Sequence, residues 1–292
     1  DENVGGVTHS NLWVMDTDGT KGKRLYEGLL WDLDDPEWSP TGSALAVIDE
    51  TFENDAPKGG ISLVDPRTGE GQLLTQFPTG SVDFTQVYDG ITWAPNGKQL
   101  AASAFAYDPG GSFGLATIRL VNTATGKSSE SIDYATNPDW GKSNRLLFEG
   151  YDLAEQDREW GVWDARMTSA KPSTNPVILG SLSWADEAPV WAPNGKQFVT
   201  IRSTAGETYV KGDWRTNQAL MLFDRSNVRA GRMILLADNG YLSDPSFSPD
   251  GKFIIYTLLT DRGKDVWWLN VASGATGPLT RDGISYDADW GP

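Results

Sequence analysis

The chain has no cysteine and a single histidine, His9, among 292 residues. Without cysteine there are no disulfides, thiolate nucleophiles, zinc–thiolate sites or iron–sulfur clusters. A chain of this length buries enough apolar surface to do without disulfides. One histidine is too few for a His-rich metal centre, and any Ser-His-Asp triad would have to use it. His9 therefore reads as a surface residue. Positive charge is also scarce: 24 Lys and Arg face 40 Asp and Glu, a net charge of −16. Such a surface repels phosphate backbones, which disfavours nucleic acid and favours cations, basic peptides and basic protein faces; solubility alone is the plainer alternative. No apolar run is long enough for a transmembrane helix. There is no amphipathic helical periodicity, no low-complexity linker and no Gly-x-Ser-x-Gly nucleophile elbow.

What is present is a repeat. Asp244-Pro245-Ser246-Phe247-Ser248-Pro249-Asp250-Gly251 leads into the apolar run Phe253–Thr257. Related stretches are Asp35-Pro36-Glu37-Trp38-Ser39-Pro40-Thr41-Gly42, Gly90-Ile91-Thr92-Trp93-Ala94-Pro95-Asn96-Gly97 and Ala188-Pro189-Val190-Trp191-Ala192-Pro193-Asn194-Gly195. Asn137-Pro138-Asp139-Trp140-Gly141 has lost the second Pro and the closing Gly, and Asp287-Ala288-Asp289-Trp290 stands at the C-terminus. Each reads as a short strand, a tight turn and a second strand, with Pro presetting φ and Gly accepting positive φ. The aromatic anchors Trp38, Trp93, Trp140, Trp191, Phe247 and Trp290 are 55, 47, 51, 56 and 43 residues apart. Periods of about 40–50 residues with several strands each predict a propeller. A second landmark recurs in every period: a short apolar strand closing on Asp16, Asp65, Asn122, Asp164, Asp224 or Asn270, suited to an Asx-turn.

Trp-Ser-Pro-x-Gly before an apolar strand, paired with Leu12-Trp13-Val14-Met15-Asp16, resembles the TolB-type WD40-like (PD40) propeller repeat over nearly the whole chain. The repeat also occurs in propellers of prolyl-oligopeptidase-like enzymes, tricorn-type proteases and oligogalacturonate lyases. The resemblance implies an all-β, six-bladed β-propeller of four-stranded antiparallel blades, forming a single domain over residues 1–292. Three N-terminal strands (3–8, 11–16 and 23–26) plus one C-terminal strand (286–290) are expected to close the ring. With Asp1 in first place, the resemblance also implies an exported protein, periplasmic or extracellular; a trimmed chain explains Asp1 equally well.

The expected inner strands are 35–39, 88–93, 136–140, 187–192 and 243–248. Second strands are expected at 44–49, 99–105, 144–149, 197–202 and 252–258. Third strands fall at 60–65, 114–122, 160–164, 218–224 and 265–270, and outer ones at 71–75, 128–132, 174–180, 231–236 and 277–280. The Pro/Gly turns share one face. The connections Thr51–Gly60, Tyr107–Phe113, Tyr151–Glu159 and Ser203–Thr216 are longer and share the other, which makes that the working face.

Residues leading into the inner strands should crowd the mouth of a central channel. They supply the carboxylates Asp34, Asp35, Asp89, Asp186, Glu187, Asp244 and Asp287, and the aromatics Trp31, Tyr88, Tyr134, Trp184, Tyr241 and Tyr286. Oxygen ligands suit calcium, for which Asp35, Asp244 and Asp287 are the candidates. Aromatic faces beside carboxylates suit a sugar, or a Lys or Arg of a partner. The structural alternative is that the acids cap turns and the aromatics fill space between blades. Trp214 lies in a stretch without a core pattern and is a candidate exposed contact. Asp16-Thr17-Asp18-Gly19-Thr20 lacks the closing Glu of a calcium loop and reads as a plain turn. Acid–base work by a pair such as Asp34 and Glu187 is conceivable on a sugar. The expected function is non-catalytic binding of a protein or peptide with a basic face. The alternative is a carbohydrate-binding or carbohydrate-cleaving propeller, calcium-dependent in one form.

Overall fold

The computed structural model describes residues 2–4, 7–28, 32–53, 56–78, 85–107, 116–151, 160–168, 171–172, 177–179, 186–210, 213–237 and 240–292. No helix occurs among them, and so none is long and apolar enough to cross a membrane. The chain begins with two small sheets, β1 (Glu2–Val4) with β2 (Val7–His9) and β3 (Leu12–Val14) with β4 (Lys23–Tyr26). Five four-stranded antiparallel sheets then follow in chain order. The first holds β5 (Asp32–Trp38), β6 (Leu45–Glu53), β7 (Ala56–Val64) and β8 (Gly71–Gln76). The second holds β9 (Thr85–Trp93), β10 (Gln99–Tyr107), β11 (Thr117–Asn122) and β12 (Ser128–Asp133). The third holds β13 (Ala135–Gly141), β14 (Arg145–Tyr151), β15 (Trp160–Arg166) and β16 (Val177–Ile178). The fourth holds β17 (Asp186–Trp191), β18 (Gln197–Val210), β19 (Asp213–Asp224) and β20 (Asn227–Ala237). The fifth holds β21 (Tyr241–Phe247), β22 (Phe253–Thr260), β23 (Gly263–Asn270) and β24 (Thr276–Pro278). No strand is assigned to residues 285–292.

The turns form as the repeat predicts. Gly42, Gly97, Gly195 and Gly251 have φ of 68°, 68°, 63° and 70°. Each donates its N–H to the carbonyl three residues back, at 2.8–2.9 Å. In the eroded copy Asn144 takes the position with φ 56° and bonds the Gly141 carbonyl at 3.0 Å, since Asn tolerates the left-handed region better than most residues. Asx-turns form at Asp65, Asn122, Asp224 and Asn270, whose Oδ1 atoms accept backbone N–H bonds from two residues on. Asp164 departs from the pattern: it is fully buried, and both its oxygens are taken by Arg145 and Arg225 at 2.6 Å. The Asp16–Thr20 stretch is the plain turn expected, with Thr20 bonded to Asp18.

Two expected loops are instead strands. In the Ser203–Thr216 stretch the β18–β19 ladder continues to Val210↔Asp213. The Thr51–Gly60 stretch is largely the end of the β6–β7 ladder, which reaches Glu53↔Ala56. Continuing the ladder satisfies backbone groups that a loop would leave to water. Tyr107–Phe113 and Tyr151–Glu159 fall mostly outside the described residues.

Residues group into two compact units: Asp1–Trp140 with Met167–Ser173 and Pro292, and Gly141–Arg166 with Thr174–Gly291. The first unit's core packs Ala46, Ile48 and Ile61 with Trp93, Leu100 and Val121. The second's joins Val199, Leu220 and Leu242 to Ile254, Tyr256 and Leu269. Trp93, Trp140, Trp191 and Phe247 are buried, whereas Trp38 and Trp290 are half-buried. The Trp93 indole N–H donates to the Glu37 carbonyl at 3.0 Å, tying one inner strand to the preceding one.

Candidate functional site

One backbone device recurs at every inner strand. Asp35, Gly90, Asn137, Ala188, Asp244 and Asp287, each three residues before its anchor, have φ between 47° and 67°. The ladders show register shifts there, between Asp34 and Glu37, Glu187 and Val190, and Ser243 and Ser246. These are β-bulges, with one residue in the left-handed region. Four of the six precede Pro, which disfavours the right-handed helical region for the residue before it. Asp and Asn accept the left-handed conformation readily, and Gly does so without cost. Asp287 keeps the conformation although no ladder is assigned around it, so the C-terminal segment carries the inner-strand signature.

The freed bulge amides are held by side chains. Gly90 N–H donates to Asp35 Oδ2 at 2.7 Å, and Asn137 N–H to Ser103 Oγ at 2.9 Å. Ala188 N–H donates to Glu149 Oε1 at 2.7 Å, and Asp287 N–H to Thr257 Oγ1 at 3.0 Å. Asp35, Asp244 and Asp287, the expected metal candidates, are all positive-φ residues of this device. They are the bulge residues themselves, and Asp35 spends a carboxylate oxygen on a backbone amide. Among the described residues the one tight group of carboxylates is a different set.

That set is Asp32, Asp34 and Glu50, each offering an oxygen within 4.8 Å of the others. It follows from register. Asp32 on β5 lies directly opposite Glu50 on β6, and Asp34 is two residues along β5, on the same face. Like charges directly opposite one another destabilise a ladder. The Glu50 carboxyl is pushed up to about 7, first by burial and then by Asp34, Asp32 and Asp89 in that order. The Ser10 hydroxyl donates to Asp32. Near neutral pH the cluster can therefore take up a proton, attract a cation or hold the cationic end of a ligand. Asp34 and Asp89 come from the sequence expectation; Asp32 and Glu50 join them through strand pairing.

Asp186 is buried, gripped by Arg202 at 2.8 and 2.7 Å and by Thr200 at 2.9 Å. Glu187 beside it is half-buried, its carboxyl raised by burial and then by Asp186. Tyr88 is 2% exposed and packs edge-on against Phe77 in the first unit's core. Tyr134 and Asp244 are half-buried; Tyr241 is 53% exposed. The Tyr286 ring lies under the Lys264 ammonium at 4.1 Å. Trp31 and Trp184 lie outside the described residues. Trp214 falls on β19 rather than in a loop, and its side chain and that of His9 are outside the description.

No protein-family model matches the chain, and no characterised protein matches it in sequence. Solved structures do resemble it. TolB from Acinetobacter baumannii superposes over 97% of this chain and 62% of its own, with TM-score 0.68 and 16% identity. The fold is a TolB-like β-propeller. A putative TolB from Agrobacterium tumefaciens matches 93% of this chain and 90% of its own, at TM-score 0.67 and 14% identity. An oligogalacturonate lyase in complex with manganese matches 93% of this chain and 70% of its own, at TM-score 0.57 and 16% identity. This chain thus spans less than two thirds of the Acinetobacter TolB. Identities of this size carry the fold and leave the site to its own chemistry. In this TolB-like propeller the five four-stranded sheets are blades.

Proposed function

We propose that the chain is a non-catalytic protein- or peptide-binding propeller of an exported protein, periplasmic or extracellular, whose acidic cluster Asp32, Asp34, Glu50 and Asp89 receives a basic segment of its partner. The observation that carries this is the repulsion concentrated on Glu50, which a Lys or Arg side chain would relieve. The net charge of −16 adds long-range attraction for the same partner. The TolB-like fold supports a protein-binding role by analogy.

The test is calorimetric titration of the full chain with Lys- and Arg-rich peptides across a salt series. Binding should weaken as salt rises, and Asp34→Asn with Glu50→Gln should cost about tenfold, or about 1.4 kcal/mol. Equal affinity for an acidic peptide, or no effect of the double substitution, would overturn the reading.

A carbohydrate-binding or carbohydrate-cleaving propeller with calcium is the second reading. Three carboxylates within 4.8 Å favour it, being hard oxygen donors of the kind calcium takes. Three are half or fewer of the oxygens calcium needs, so backbone carbonyls, water or a sugar hydroxyl would complete the shell. Binding and turnover on a glycan panel separate this reading from the first.

A further inference from the structure

One seven-residue stretch occurs twice in the chain: Trp93-Ala94-Pro95-Asn96-Gly97-Lys98-Gln99 and Trp191-Ala192-Pro193-Asn194-Gly195-Lys196-Gln197. Each closes the turn from an inner strand to the next, β9 to β10 in one copy and β17 to β18 in the other. The backbones match. Gly97 has φ 68° and donates to the Ala94 carbonyl at 2.8 Å; Gly195 has φ 63° and donates to the Ala192 carbonyl at 2.9 Å. Exposure matches as well: in both copies the Asn and the Lys are exposed and the Gly is half-buried. A difference in reactivity between the copies must then come from side-chain contacts.

Asn before Gly is a reactive pair, because glycine has no side chain to shield its nitrogen. Once hydroxide has taken the Gly amide proton, that nitrogen can attack the Asn Cγ. A new C–N bond forms, the bond from Cγ to Nδ2 breaks, and ammonia leaves with a proton returned from water. Water then opens the resulting cyclic succinimide to aspartate or isoaspartate. The net change is a carboxamide and water giving a carboxylate and ammonium. The rate depends on how readily Cγ swings to within about 3–3.5 Å of the attacking nitrogen.

The two carboxamides are not equally held. Asn194 Oδ1 accepts from the Lys196 and Gln197 amides at 2.8 and 3.0 Å, and its Nδ2, the leaving nitrogen, donates to Gln197 Oε1 at 3.0 Å. Asn96 Oδ1 accepts from the Lys98 amide at 2.8 Å, and its Nδ2 has no partner among the described residues. The Thr123 hydroxyl holds the Gly97 carbonyl at 3.0 Å, which fixes the peptide after the attacking nitrogen and not the carboxamide.

A sibling turn shows how the product would fit. In Ser248-Pro249-Asp250-Gly251-Lys252 an Asp stands where these copies have Asn. Asp250 Oδ1 accepts from the Lys252 amide at 3.0 Å, and Oδ2 pairs with the Lys252 ammonium at 2.8 Å. Gly251 keeps φ 70° and its bond to the Ser248 carbonyl at 2.8 Å.

We propose that Asn96 is a site of spontaneous deamidation, that the Gln197 contacts shield Asn194 from the same reaction, and that the aspartate formed at 96 closes its turn with Lys98 as Asp250 does with Lys252. Each event adds one negative charge to an already acidic chain. The isoaspartate product lengthens the main chain by one atom inside the turn and so displaces the Gly97 amide from the Ala94 carbonyl. The inference is independent of the acidic cluster and of what it binds.

The experiment ages the full chain in mildly alkaline buffer. Tryptic peptides ending at Lys98 and Lys196 report the two sites separately by mass spectrometry. In concentrated guanidinium the two rates should be equal, because the local sequences are identical. In the folded chain Asn96 should convert about fivefold or more faster than Asn194, for which one further hydrogen bond to break is enough. Gln197→Ala should raise the rate at Asn194 and leave that at Asn96 unchanged, once circular dichroism has shown the variant folded; the wild-type comparison decides the matter if it is not. Asn96→Asp should keep the wild-type Tm. Equal rates in the folded chain, a faster Asn194, or no conversion at Asn96 while the unfolded chain converts overturns the proposal. So does a folded Gln197→Ala with no effect at Asn194, or an Asn96→Asp variant whose Tm falls by several degrees.

Discussion

Replacing Glu50 with Gln should stabilise the protein above neutral pH and do little in acid. Unfolded, the carboxyl titrates near its ordinary 4.5; folded, burial followed by Asp34, Asp32 and Asp89 pushes it up to about 7. Below the unfolded value both states carry the proton and folding incurs no cost. Between the two values the folded state holds more protons, so stability falls as pH rises. Above the folded value the loss is complete. A rise from 4.5 to about 7 corresponds to about 3 kcal/mol. Water reaches this half-buried group and screens the repulsion, which brings the expected effect to about 1–2 kcal/mol. Gln keeps the shape and cannot ionise. Urea midpoints of wild type and Glu50→Gln should coincide near pH 4 and diverge steadily to pH 8, with the variant ahead. Acids whose carboxyls lie below their usual range, such as Asp65 and Asp250, are common to both proteins and cancel in the difference. Added salt should narrow the gap. A difference that does not change with pH, or a wild type that gains on the variant between pH 5 and 8, would refute the reasoning.

Two further predictions address other parts of the molecule. If Asp32, Asp34 and Glu50 hold calcium, millimolar calcium should raise Tm, EDTA should reverse the rise, and Asp34→Asn with Glu50→Gln should abolish it; a flat Tm disposes of the metal. Asp164→Ala strips two guanidiniums of a buried partner and should cost about 3–5 kcal/mol by denaturant titration, whereas a loss below about 1 kcal/mol would mean the pair is solvated.

The turns and anchors were legible because Pro and Gly act locally: a residue that presets φ or accepts positive φ marks its position without help from the rest of the chain. Four of the six bulges carried a local mark as well, a residue before Pro three positions ahead of the anchor, but its meaning depends on the ladder beside it. Site residues were harder. Asp186 reads as a mouth carboxylate until Arg202, sixteen residues away, is seen to grip it. The Asp32–Glu50 pair could have been found by counting outwards from the Ser39–Gly42 turn, allowing for one extra residue at Asp35. Without the bulge that count places Glu50 opposite the wrong neighbour, because a slip of one position moves every side chain to the other face. Tyr88 shows the same limit, since inner-strand aromatics point to the core or the rim according to a register that composition does not reveal.

The side chains that hold the bulge amides have a consequence for how such a chain can be recombined. Asp35, Ser103, Glu149 and Thr257 each belong to one sheet, and the amide each one holds lies in the segment that follows. The visible module, four strands of one sheet, is therefore not the self-sufficient one. A graft cut at sheet boundaries separates an acceptor from its donor at both junctions and leaves two amides without partners. For Ser103, Glu149 and Thr257, a graft cut just after one bulge and just after the next carries the acceptor with the amide that uses it. The exchangeable unit of this chain straddles two neighbouring sheets, and duplications that built it would have been tolerated most easily when they broke in that offset frame.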